Sequence, residues 1–146
     1  MTPYLDAGFL LTLLVQTSGS PDAIRLLQQV EGPARLNLLH SLQAESLFAT
    51  LRQSENPRKR AAGERAVQVW HHYFAEGILQ LTPANWNSAF QAAIVWTRDL
   101  AGPVLPLLML HPALAAVAEA THFLSFDPRS RSVAEAAGLK VLPERL

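Results

Sequence analysis

Short apolar runs alternate along the chain with longer stretches of helical spacing, a pattern that predicts strands and helices in turn. Pro3–Leu5 reads as a first strand, followed by a buried helix over Gly8–Val15. Ser20-Pro21-Asp22 has the form of a helix start, with Ser20 as N-cap and Pro21 in the first turn. The helix it opens carries Ile24, Leu27 and Val30 on one face and ends at Gly32-Pro33. A strand over Arg35–Leu39 leads to a helix near Ser41–Leu51 with Leu42, Leu47 and Leu51 as its apolar positions. Arg52–Arg65 is polar and charged, Ala66–Glu76 resumes a helical pattern, and Gly77 is its stop. Ile78–Leu81 reads as the third strand. Asn85–Trp96 reads as a helix, capped by Asn85 or Thr82, with Trp86, Phe90, Ala93 and Trp96 on a shared face. A helix through Leu114–Ala120 gives way to the β-rich run Thr121–Phe126, Asp127-Pro128 opens a helix over Ser130–Ala137, and Gly138 precedes a last strand, Leu139–Leu142. This alternation predicts one α/β domain over residues 1–146, three layers built on a mainly parallel sheet of about 4–5 strands.

Composition narrows the function classes. Lys plus Arg equals Asp plus Glu at 12 each, so no global field attracts a polyanion and nucleic-acid contact needs a local patch. Charged residues make up 16% and apolar residues 49%, which favours heavy burial and an association surface; a homodimer is the expectation. The chain has no cysteine, which removes thiolate metal sites and cysteine nucleophiles and suits a cytoplasmic protein. Asp6 interrupts the apolar stretch where a signal peptide would carry none. From Leu100 to Ala118 only His111 is neither apolar, glycine nor proline, but Pro103, Pro106 and Pro112 divide the segment, so a buried core segment is expected rather than a membrane span. No glycine-rich phosphate loop and no Gly-x-Ser-x-Gly elbow occurs.

Ligands of open parallel sheets gather at the carboxyl ends of the strands. Asp6 follows the first strand, Asp127 follows the strand ending at Phe126, and Glu45 lies one turn into the helix after the second strand. Carboxylates brought to one rim repel each other unless a cation joins them, and an all-oxygen set suits Mg²⁺ or Mn²⁺. The plainer alternative is that these acids cap helices, since Asp6 and Asp127 both precede one.

The motifs around these acids resemble those of the PIN domain, the fold of many metal-dependent ribonucleases, including the VapC-type toxins of bacterial toxin–antitoxin pairs. Tyr4-Leu5-Asp6-Ala7-Gly8-Phe9-Leu10-Leu11 is similar to the opening motif, and His40-Ser41-Leu42-Gln43-Ala44-Glu45 to the second. Leu110-His111 and Ala115 to Asp127, followed by Ala134-Glu135-Ala136-Ala137-Gly138-Leu139-Lys140-Val141, resemble the last motifs. The resemblance implies Mg²⁺ or Mn²⁺ held by Asp6, Glu45 and Asp127 as catalytic ligands, Ser125 supporting them through its hydroxyl, RNA as substrate, and an antitoxin protein as partner. It also implies a departure: alignment on His111 sets Leu108 where the family has a further acid, Asp99 lies too early to replace it unless Pro103–Pro106 loops back, and Ala7 stands where threonine or serine is usual. A site short of one carboxylate binds metal more weakly and reacts more slowly. Two functions therefore stand: a weakened metal-dependent endoribonuclease, and a catalytically inactive binding or interaction module.

Other polar residues carry secondary expectations. Arg52, Arg58, Lys59, Arg60 and Arg65 crowd one segment, and Arg129 and Arg131 flank Asp127. Of these, Arg52, Arg129 and Arg131, together with His111, are the candidate RNA contacts; a solvated helix surface and packing roles are the alternatives. His71 and His72 would point to different faces of a helix, so a shared metal site is not expected of them. Trp70, Trp86 and Trp96 are expected in the core or at a dimer interface.

Overall fold

A computed structural model describes residues 1–99 and 106–146 of the chain. Five strands, β1 (Pro3–Leu5), β2 (Ala34–Leu36), β3 (Leu79–Leu81), β4 (His122–Leu124) and β5 (Lys140–Leu142), form one sheet in the order β3-β2-β1-β4-β5. Every neighbouring pair is parallel, as the strand–helix alternation requires. The helices are α1 (Ala7–Leu14), α2 (Ser20–Gln29), α3 (Leu38–Arg52), α4 (Pro57–Ala75), α5 (Trp86–Asp99), α6 (Pro106–Val117) and α7 (Pro128–Ala136).

Alternation along the strands builds two cores. Leu5, Leu36, Leu79 and Leu124 join Phe9, Phe48 and Trp70 in one cluster, fed by α1 to α4. Tyr4, Phe123 and Val141, one residue out of phase, join Ala89, Leu110 and Leu114 in the other, fed by α5, α6 and α7. The sheet is thus covered on both faces. Trp70 is buried in the first cluster, and Trp86 and Trp96 pack half-buried against the second.

Several boundaries differ from the sequence expectation, each for a local reason. Ser20 lies inside α2, whose N-cap is Gly19; its hydroxyl donates to the Thr12 carbonyl at 2.7 Å instead of capping. The second strand stops at Leu36 because Asn37 caps α3, accepting the Leu39 N–H at 3.0 Å. The polar stretch before Ala66 is helical from Pro57, with Asn56 as N-cap, so Arg58 to Arg65 occupy the exposed first half of α4. Phe90 is exposed, off the face that Trp86 and Trp96 share. Pro112 sits seventh in α6, beyond the first turn, so one internal hydrogen bond of that helix is absent. Gly77 and Gly138 end their helices at φ of 69° and 86°, as foreseen.

Among the described residues no helix is long and apolar enough to cross a membrane. The suggested return of Pro103–Pro106 toward the rim lies largely outside the described residues.

Candidate functional site

The register of the sheet fixes which residues meet at its carboxyl edge. Tyr4 pairs with Arg35, and Leu5 with Leu124. The residues that leave β1, β2 and β4 are therefore Asp6, Asn37 and Ser125, side by side. Asp6 is the N-cap of α1: one carboxylate oxygen accepts the Phe9 N–H at 2.7 Å, and the other accepts the Ser125 hydroxyl. Ser125 in turn accepts the backbone N–H of Asp127 at 3.1 Å. One serine thus links the two acids.

The two acids differ in electrostatics. Burial pushes the Asp6 carboxyl up; the hydrogen bonds from Ser125 and Phe9 pull it down, and the charge of Asp127 pushes it up further. Asp127 is held below the usual carboxylate range, first by the Arg129 side chain and then by the Arg129 and Ser130 amides of the helix it caps. Its Oδ2 lies 3.1 Å from Arg129 Nη2.

Glu45 does not join them. The buried face of α3 is His40, Ala44 and Phe48, not the Leu42 side expected from the sequence; Leu42 is 68% exposed. With that face inward, Gln43 and Glu45 flank it on opposite sides, about 200° apart around the helix. Gln43 is the one that reaches the rim, where its Oε1 is 2.9 Å from His111 Nε2. Glu45 is exposed on the other flank. Among the described residues no group of three or more histidine or acidic side chains could hold a metal ion, and residues 100–105 (Leu-Ala-Gly-Pro-Val-Leu) carry no such side chain. The three-acid ligand set is therefore not gathered.

The donor chemistry points the same way. Mg²⁺ and Mn²⁺ need several oxygen ligands with lone pairs to give. Asp6 and Asp127 keep lone pairs beyond the hydrogen bonds they accept, but Asp127 is ion-paired to Arg129, Gln43 is neutral and engaged by His111, and Glu45 stands apart. Two carboxylates, one of them ion-paired, are a poorer fit to a divalent ion than the three that the resemblance implies.

The remaining expected contacts are also accounted for within the fold. Arg131 is buried and turned inward, donating to the Ser125 carbonyl at 2.8 Å and the Pro143 carbonyl at 2.6 Å, so it braces the rim and holds the chain end rather than facing a phosphate. His111 is buried between Tyr4 and Gln43. Arg52 pairs with Glu64 at 3.0 Å on the exposed end of α3, and Arg129 is exposed beside Asp127.

Three rim residues escaped the sequence reading: Asn37, Tyr4 and Gln43. The Asn37–His40 capping box, in which Asn37 accepts at the helix start and His40 Nδ1 accepts the Asn37 N–H at 3.0 Å, was the one signal available.

A parallel five-stranded sheet in this order, covered on both faces and with an acid leaving its central strand, defines a three-layer α/β domain of PIN-like fold. The solved structures that share it include a chain of FitAB bound to an IR36 DNA fragment, with a TM-score of 0.68 and 14% identity over 99% of this chain and 97% of that one. A chain of FitAcB from Neisseria gonorrhoeae matches with a TM-score of 0.60 and 12% identity over 98% of each. No protein-family model and no curated protein sequence matches the chain.

Proposed function

We propose that this chain is a PIN-like binding module, the counterpart of a toxin in a toxin–antitoxin type of pair, that works by holding a protein partner rather than by cutting RNA. One observation carries the reading: the helix after the second strand turns Gln43, not Glu45, onto His111 at the rim, so two carboxylates stand where a cation needs a larger cluster. The motif resemblance and the fold shared with the FitAB and FitAcB chains support a protein partner of antitoxin kind. Leu38, Leu42, Leu81, Phe90, Ile94 and Val95 are large apolar residues exposed on α3, β3 and α5, and they support self-association as a homodimer.

A Mg²⁺- or Mn²⁺-dependent ribonuclease acting through Asp6, Glu45 and Asp127 is the competing reading, and a cleavage assay separates the two. Wild type, Asp6→Asn and Glu45→Gln are incubated with structured and single-stranded RNA across both metals. The expected outcome is no cleavage above the Asp6→Asn background, together with a stoichiometric complex when the chain is co-expressed with the protein encoded beside it. Metal-dependent cleavage that Asp6→Asn abolishes would restore the nuclease.

A further inference from the structure

The edge that does not suit a cation is closed by neutral hydrogen bonds whose polarity can be followed atom by atom. Asn37 Oδ1 accepts the Leu39 N–H, so Nδ2 is the atom that meets the Tyr4 hydroxyl, at 2.9 Å. An amide nitrogen only donates, so the Tyr4 oxygen accepts there and sends its own proton toward His111 Nδ1, at 3.0 Å. Burial keeps that phenol protonated. His111 is then the Nε2–H tautomer, and Nε2–H donates to Gln43 Oε1. The Gln43 amide nitrogen is left on the side away from His111. His40 is fixed in the same form: its Nε2 donates to the Leu5 carbonyl at 2.6 Å, and its Nδ1 accepts the Asn37 N–H. The two rings lie 4.4 Å apart between centroids. Among the described residues no buried side-chain nitrogen or oxygen lacks a partner.

We infer that the chain Asn37–Tyr4–His111–Gln43 takes the place of a metal ion in this rim. It ties the start of α3 and the middle of α6 to the end of β1, and it leaves an amide N–H outward where ion binding needs a free oxygen. The inference rests on the binding-module reading and goes further, because it assigns a direction to every proton in the edge. Gln43 is the pivot. A carboxylate in its position would still accept the His111 Nε2–H and would offer a spare oxygen to a cation in place of the amide N–H.

Long-range ¹H–¹⁵N spectra of the histidine rings in the full chain test it at neutral pH. Wild type is expected to show His40 and His111 as neutral Nε2–H tautomers, with both signals unbroadened by added Mn²⁺. Tyr4→Phe keeps the ring and deletes the donor, so the His111 Nδ1 resonance is expected to shift more than that of His40, which feels the loss only through Asn37. Gln43→Glu is expected to shift the His111 Nε2 resonance while Nδ1 still accepts from the Tyr4 hydroxyl, and Gln43→Glu with Leu108→Asp to bring Mn²⁺ broadening at His111. A wild-type His111 protonated on Nδ1, an unmoved His111 in Tyr4→Phe, or selective Mn²⁺ broadening in wild type would overturn the inference. RNA cleavage by a wild type that keeps the expected tautomers would instead sink the functional reading and leave the hydrogen-bond chain standing.

Discussion

Burial sets the chemistry of the rim's ionisable side chains. Asp6 is almost fully covered, and the Ser125 hydroxyl is one of the two groups among the described residues that donate to it. Ser125→Ala leaves a carboxylate oxygen unsatisfied in the interior and is expected to lower unfolding stability by about 1–3 kcal/mol, read from urea midpoints. Ser125→Thr, which keeps the hydroxyl, should retain most of it. The histidines give a pH dependence of definite sign. Burial pulls His40 down to about 4 and His111 well below its usual value. The unfolded chain therefore takes up protons first, and stability is full above roughly 6.5 and falls as pH drops toward 4, by about 1.4 kcal/mol per pH unit for His40 alone. Asp6, with its carboxyl raised, acts in the opposite sense, favouring the fold at low pH and losing that advantage as pH rises. Two imidazoles outweigh one carboxyl, so the urea midpoint should be clearly lower at pH 5 than at pH 7; an unchanged midpoint would contradict the neutral pair. Asp6 and Asp127 were legible in the sequence because each follows a strand. Asn37, Tyr4 and Gln43 were not, because their roles are set by partners up to 107 positions away.

At the scale of elements, the phase of α3 decides the site. Its leucines suggest an apolar face through Leu42, yet the helix buries His40, Ala44 and Phe48. A histidine fully paired to backbone belongs in a core as readily as a leucine, and a pattern of apolar letters cannot register that. The sequence therefore put Glu45 at the rim, and the helix turned Gln43 there instead. Pairing of α3 with α4 depends on a small residue: a Cβ on Gly63 would meet Leu51 Cβ at 2.9 Å and the Arg52 nitrogen at 3.3 Å. Helix propensity alone would make Gly63→Ala stabilising by about 1 kcal/mol. The close approach reverses the sign, so a lower melting temperature is expected, and a higher one would show that α3 and α4 can move apart without loss.

At the scale of the whole molecule, the topology was the most legible feature. Strands of three residues flanked by helices leave a parallel sheet as the economical arrangement, and the out-of-phase clusters around Leu5 and Tyr4 show both faces covered. Association is a different matter, since nothing in the alternation says which apolar residues stay outside; Phe90 was expected inward and is half exposed. If α5 forms the self-association face, Phe90→Asp with Ile94→Asp should halve the mass measured by light scattering and leave the circular dichroism spectrum intact. An unchanged dimer would move the contact elsewhere, and a monomeric wild type would remove it.

The central claim is that this PIN-like edge is held together by hydrogen bonds and gathers too few carboxylates to hold a cation. Calorimetric titration of Mn²⁺ into the wild-type chain addresses it most directly. The account predicts no saturable heat, with Asp6→Asn giving the same trace. A saturable one-to-one isotherm that Asp6→Asn abolishes would contradict it.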